Sequence, residues 1–195
     1  MMRNNFKIAI TGGIGSGKST VSKFIKQRGF NVISCDDIYR ELLQKEYFLK
    51  ELAKLFGDRA VSNGKLNRKY LSEIVFSDSE KLELLNRFTH PAIMRECFAR
   101  MKDELNFCEI PLLFESGYQN LFDNVIVVLR DRAARITAIK ERDGLQHQEI
   151  CKRIESQFNY DIADFAKYYV IHNDCGLIDL QRQTLQILDE ITIKK

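Results

Sequence analysis

The chain has 195 residues, 45% of them hydrophobic and 29% charged, which is the composition of one globular domain large enough to bury a sizeable core. No apolar run is long enough for a transmembrane helix, and Met1 to Lys7 lacks the pattern of a signal peptide, so a cytoplasmic location is expected. The net charge of +3, with no basic run interleaved with aromatics, gives no case for a nucleic-acid or membrane partner, and a monomer or weak homo-oligomer is expected.

In chain order, Phe6–Thr11 reads as a short apolar strand. A glycine-rich turn follows, then a helix from Lys18 to Arg28 with Val21, Phe24 and Ile25 on one face and Gly29 as its stop. Asn31–Ser34 reads as a second strand, completing a βαβ unit. From Asp37 to about Arg100 the pattern is helical throughout, with a turn at Ser62-Asn63-Gly64 and a break or restart at His90-Pro91. The continuous apolar runs Phe107–Leu113, Asn124–Leu129 and Tyr168–Ile171 fit strands buried on both faces. Helices are expected between them, at Asp131–Arg142 and His147–Phe158, and a last one from about Leu177 to Ile191. The predicted fold is three-layer α/β: a five-stranded, mostly parallel sheet with a helical insertion and a lid. Its core spans about residues 1–36 and 101–195, with the insertion at about 37–100 and the lid at about 131–160.

The segment Thr11-Gly12-Gly13-Ile14-Gly15-Ser16-Gly17-Lys18-Ser19-Thr20 carries G-x-x-x-x-G-K-S between a strand and a helix. Glycines let the backbone curl so that successive N–H groups aim at one anion, and the helix start adds its own N–H groups and positive dipole end. Lys18 is placed for the β/γ-phosphates and the Ser19 hydroxyl for Mg²⁺. Gly13, Gly15, Ser16, Gly17 and Thr20 complete the expected nucleotide contacts, so ATP and Mg²⁺ are the implied cofactors. The guanine motif N/T-K-x-D of GTPases is absent, and the short chain with a helical insertion favours a small-molecule kinase of the three-layer P-loop NTPase/kinase fold.

Asp36 lies at the carboxyl end of the second strand, where such sheets bind ligands, and is either a base toward a substrate hydroxyl or a helix cap, with Asp37 competing for both roles. Arg40, one turn on, is a phosphate-binding candidate or a solvated arginine. Glu115, after Ile110-Pro111-Leu112-Leu113-Phe114, is either a substrate or metal-shell group or a cap. The basic segment Arg130 to Arg153 reads as a solvated helix face or as a lid that supplies an arginine to the phosphates, with Arg135 and Arg142 on roughly one face. Five cysteines, an odd number with no C-x-x-C pair, and three dispersed histidines argue against disulfides and a zinc site.

These residues resemble the dephospho-CoA kinase family over nearly the whole chain. The resemblance rests on the extended loop Thr11–Ser19, on Val32–Asp36 followed by Arg40, and on His90-Pro91 and Pro111–Glu115. Arg142-Asp143, Arg153 with Gln157, and Asn173 with Gly176 follow in the expected order. It implies transfer of phosphate from ATP to the ribose 3′-hydroxyl of dephospho-coenzyme A, giving coenzyme A and ADP. It further implies Asp36 as base candidate, and Arg40, His90, Leu113 and Glu115 on the acceptor side. Arg142 would be a lid residue, and Asn173 and Gly176 would lie near the adenine. The chain departs from the family pattern at Ser34, where an Asp is usual, and at Asn67-Arg68, where Asp-Arg is usual. It departs again at Ala138, where an arginine four residues before Arg142 is common and for which Arg135 is a possible substitute, and in the spacing of three positions from Asn173 to Gly176.

Overall fold

The computed structural model describes residues 6–194. The elements in chain order are β1 (Phe6–Thr11), α1 (Lys18–Gln27), β2 (Asn31–Ser34), α2 (Cys35–Leu42), α3 (Glu46–Phe56), β3 (Val61–Ser62), β4 (Lys65–Leu66), α4 (Arg68–Phe76), α5 (Ser79–Ala99), β5 (Leu105–Glu109), β6 (Asn124–Leu129), α6 (Arg132–Asp143), α7 (His147–Glu155), β7 (Tyr169–His172) and α8 (Leu177–Lys194). The chain divides into two compact units: Cys35–Arg100, and the remainder before and after it.

The larger unit is built on a five-stranded sheet in the order β2-β5-β1-β6-β7, every neighbouring pair parallel. β1 is central, with Ile10 opposite Glu109 on one side and Ile126 on the other. The strand order reverses at β1, so its carboxyl end is the switch point at which open α/β sheets place ligands. Ile8, Ile10, Phe107, Ile126 and Ile171 are fully buried and form one core with Val21 and Ile25 of α1 and Leu180 and Leu188 of α8. Parallel strands covered on both faces need such unbroken apolar runs. Burying each of these side chains stabilises the unit by roughly 1.5–3 kcal/mol. A smaller cluster of Ile139, Ile150 and Ile154 joins α6 to α7 and packs against Ile14 of the glycine-rich loop.

In the smaller unit α5 packs on α2 and α4, and Phe48 of α3 meets Phe88 of α5 with ring centroids 4.8 Å apart. Asp78 caps α5 by accepting from Glu80 N and Lys81 N, and Asn67 caps α4 by accepting from Tyr70 N. Arg100 and Glu41 form a two-pronged ion pair.

Three expectations are corrected. The 37–100 stretch is not helical throughout: β3 and β4 form a two-stranded hairpin. Asn63 takes a positive φ of 51° and Gly64 one of 69°, a combination that suits a tight hairpin turn where the sequence placed one, while helical spacing of the flanking leucines concealed the two strands. His90-Pro91 is not a break, since α5 runs unbroken for 21 residues with Pro91 inside. Proline removes one rung of the helical ladder. The rest of that ladder and the packing on α2 and α4 carry the helix past it. The third core strand begins at Leu105 and ends at Glu109, so Ile110–Leu113 are not strand. Pro111 lacks the N–H that further pairing requires. Among the described residues no helix is long and apolar enough to cross a membrane.

Candidate active site

The loop between β1 and α1 takes the shape its glycines permit. Gly12, Gly15 and Gly17 have φ of 150°, 79° and 102°. The loop closes on itself through Ser16 N donating to Gly13 O at 3.1 Å. The α1 N-terminus emerges from Gly17, whose carbonyl accepts from Thr20 N at 3.0 Å and Val21 N at 3.2 Å. Lys18 Nζ donates to the carbonyls of Gly12 at 2.8 Å and Gly13 at 3.0 Å. The ammonium group is therefore held over the mouth of the loop. Ser19 is exposed on the first turn of α1.

Residues far along the chain hold this loop. Gln157 Oε1 accepts from Ile14 N at 2.7 Å. Arg135 Nε donates to Ile14 O at 3.0 Å, and Arg130 NH1 to Gly15 O at 3.3 Å. Asn173 Nδ2 donates to Ser16 O at 2.8 Å. At the loop's root the hydroxyls of Thr11 and Tyr160 lie 3.1 Å apart. Tyr160 sits in an aromatic cluster with Phe114, Phe158 and Phe165. Burial pushes its phenol well above the ordinary range, so the hydroxyl stays neutral. Of these residues the sequence reading passed over Tyr160 altogether and gave Gln157 no role. Both sit beyond the end of α7 at Glu155, and no local signal marks Tyr160.

Beside the loop lies a cavity of about 400 Å³, lined among others by Gly13, Ser16, Arg130, Arg132 and Arg135. Ser16 Oγ and Arg130 Nε are buried here without a hydrogen-bond partner. Buried polar atoms are normally satisfied, so two unsatisfied ones at a cationic cavity suit a ligand rich in polar oxygens. A glycine loop, a helix N-terminus and a lysine converge on the adjoining space, which equips it for a polyphosphate.

The other candidates are placed as follows. Asp36 and Asp37 lie in the first turn of α2 and both are exposed. Asp37 Oδ1 pairs with Arg40 NH1 at 2.8 Å. His90 is partly buried in α5, and that burial holds its imidazole below the ordinary histidine value. Leu113 is fully buried, with its carbonyl accepting from Tyr118 N at 3.2 Å. Glu115 Oε1 accepts from Phe158 N at 2.9 Å, tying the segment after β5 to the one after α7. Arg142, on the last turn of α6, makes a two-pronged pair with its neighbour Asp143 at 2.7 and 2.8 Å. Gly176 precedes α8, and its carbonyl accepts from Leu180 N at 3.1 Å.

A sequence model described as dephospho-CoA kinase matches residues 6–179. A dephospho-CoA kinase of Fusobacterium nucleatum is 36% identical over 188 residues, covering 94% of this chain and 97% of the relative. A crystal structure from Thermus thermophilus superposes with a TM-score of 0.83 at 33% identity, covering 96% of this chain and 98% of the other. A dephospho-CoA kinase from Campylobacter jejuni superposes with a TM-score of 0.69 at 31% identity, covering 96% and 97%.

Proposed function

The chain belongs to the dephospho-CoA kinase family, and from that premise we propose that it transfers the γ-phosphoryl group of ATP to the ribose 3′-hydroxyl of dephospho-coenzyme A, giving coenzyme A and ADP. The observation that carries the reading is the phosphate loop, with Lys18 held at its mouth by the Gly12 and Gly13 carbonyls. On binding nucleotide, Lys18 exchanges those carbonyls for β- and γ-phosphate oxygens, and the loop's backbone N–H groups cradle the β-phosphate. Catalysis by this route is positioning together with charge neutralisation.

Mg²⁺ fits the donors present, because the Ser19 hydroxyl is a hard oxygen ligand at the start of α1, and phosphate oxygens and waters would supply the other ligands such an ion takes. The ion would spread the negative charge of the β- and γ-phosphates. Asp36 is the base that receives the proton of the acceptor hydroxyl. It is preferred over Asp37 because Asp37 is engaged by Arg40. Arg40, His90 and Glu115 belong to the acceptor side, residues 131–160 form the lid with Arg142 on it, and Asn173 and Gly176 flank the nucleotide base.

ADP release measured in the presence of dephospho-CoA, nucleosides or nucleoside monophosphates tests the acceptor. Turnover specific to dephospho-CoA is the expected result. Faster turnover with a nucleoside or nucleotide would make it a kinase for that acceptor, and ATP binding with no acceptor-dependent release would reduce the chain to a binding module.

A further inference from the structure

Two cations converge on Gly13. Lys18 Nζ donates to its carbonyl, and Arg135 stands against its Cα so closely that a Cβ there would meet the guanidinium well inside 3.0 Å. Gly13 has no positive φ, so its backbone would accept other residues, and what excludes a side chain is the arginine. Arg135 comes from the first turn of α6 and is only 3% exposed. A cation so deeply placed is costly unless compensated. The nearest carboxylate, Asp161, is 3.4 Å from NH1 and is itself 43% exposed. Burial first, and then repulsion from Arg132, press against the charge of Arg135, with Asp161 opposing. A guanidinium has five N–H groups. The Ile14 carbonyl takes one and Asp161 another. Arg135 also lines the cavity that contains the unsatisfied Ser16 Oγ.

We propose that Arg135, although it lies within the lid segment, contacts the γ-phosphate and neutralises charge on the phosphoryl group in flight from the place it already holds against the phosphate loop, and is not carried there by lid closure. The Lys18 ammonium, which goes to the β/γ-phosphates, already rests at Gly12 and Gly13. The Arg135 guanidinium also meets Gly13, which puts it beside the part of the loop where Lys18 takes the β/γ-phosphates. The chain has Ala at position 138, one turn beyond Arg135. This assignment rests on reading the site as an ATP-dependent phosphotransferase. The competing role is a splint that holds the loop through the Ile14 carbonyl and touches no phosphate.

The test compares Mg-ADP with a non-hydrolysable ATP analogue carrying a γ-phosphate, by calorimetry, in wild type and Arg135→Gln, beside turnover with dephospho-CoA. The variant is expected to lose about tenfold in affinity for the analogue, the worth of one charge-assisted hydrogen bond, while ADP affinity stays within about twofold. Turnover is expected to fall about 100-fold, with part recovered in Arg135→Lys. Equal losses for ADP and analogue, with a lowered melting temperature, would establish the splint and overturn the proposal. So would turnover and both affinities staying within about twofold. If Arg135→Gln does not fold, Arg135→Lys carries the comparison, and a loss confined to the analogue is again required. If the wild type does not turn over dephospho-CoA while the analogue-selective loss persists, the acceptor assignment fails and Arg135 stands.

Discussion

Asn173 Nδ2 donates to the Ser16 carbonyl at 2.8 Å, and the same nitrogen stands where a Cβ on Gly17 would fall. The end of β7 is thereby fastened to the phosphate loop two residues before α1 begins. Gly17 is held by two constraints, a φ of 102° and this contact.

Asn173→Ala leaves the Ser16 carbonyl without this donor and loosens the loop. The cost is about 1–3 kcal/mol, the range for stranding a buried polar group. Mg-ADP affinity measured by calorimetry is expected to fall about tenfold while circular dichroism stays that of the wild type. Unchanged affinity would mean that the bond is incidental to the loop's shape.

Lys18→Ala is expected to keep the fold, because Lys18 is bonded to loop carbonyls and packs in no core cluster. Phosphoryl transfer should fall by a factor on the order of 100–1000, as when a transition-state donor is removed. Retained near-normal turnover in an ADP-release assay would sink the role given to Lys18.

Asp36→Asn keeps the size of the side chain in the first turn of α2 and removes its basicity. Turnover is expected to drop about 100-fold with ATP affinity nearly unchanged, the range for a lost general base. If Asp36→Asn is silent and Asp37→Asn is not, the base is Asp37 and its pairing with Arg40 must open during the reaction.

His90 supplies a pH dependence. Burial depresses its folded-state value, so below the ordinary value of about 6.5 the unfolded chain binds more protons than the folded one. Its contribution to stability is therefore complete above pH 6.5 and is lost as pH falls toward the folded value. The slope from this one group cannot exceed about 1.4 kcal/mol per pH unit. Urea unfolding between pH 5 and pH 7 should show a shallower pH dependence in His90→Gln than in wild type, and an identical slope would remove His90 from the account.

The sequence by itself determined what is written in neighbouring residues. The loop from Gly12 to Thr20, the strand before it and the helix after it were legible because local backbone geometry depends on residue type and order: glycines permit φ that other residues resist, and a helix N-terminus follows wherever α1 begins. The five core strands were legible as short runs, β1, β2 and β6 with their ends, but the ends of β5 and β7 were not, because a strand stops where its partner stops. Glu109 ends β5 opposite Ser34 and Ile10. The turn at Asn63-Gly64 was legible, but the two strands it joins were hidden beneath helical spacing, and the unbroken α5 beneath its proline. Only the tertiary structure decided what grips the loop. Arg135, Gln157 and Asn173 lie 121, 143 and 157 positions from the loop residues they bond. Those bonds depend on the order and register of β1, β6 and β7 and on how α6 and α7 pack, which residue spacing along one chain does not encode. The same packing buried Arg135 against Gly13 and left Arg142 at the surface with Asp143, a distinction between two arginines seven residues apart that their shared helical face did not reveal.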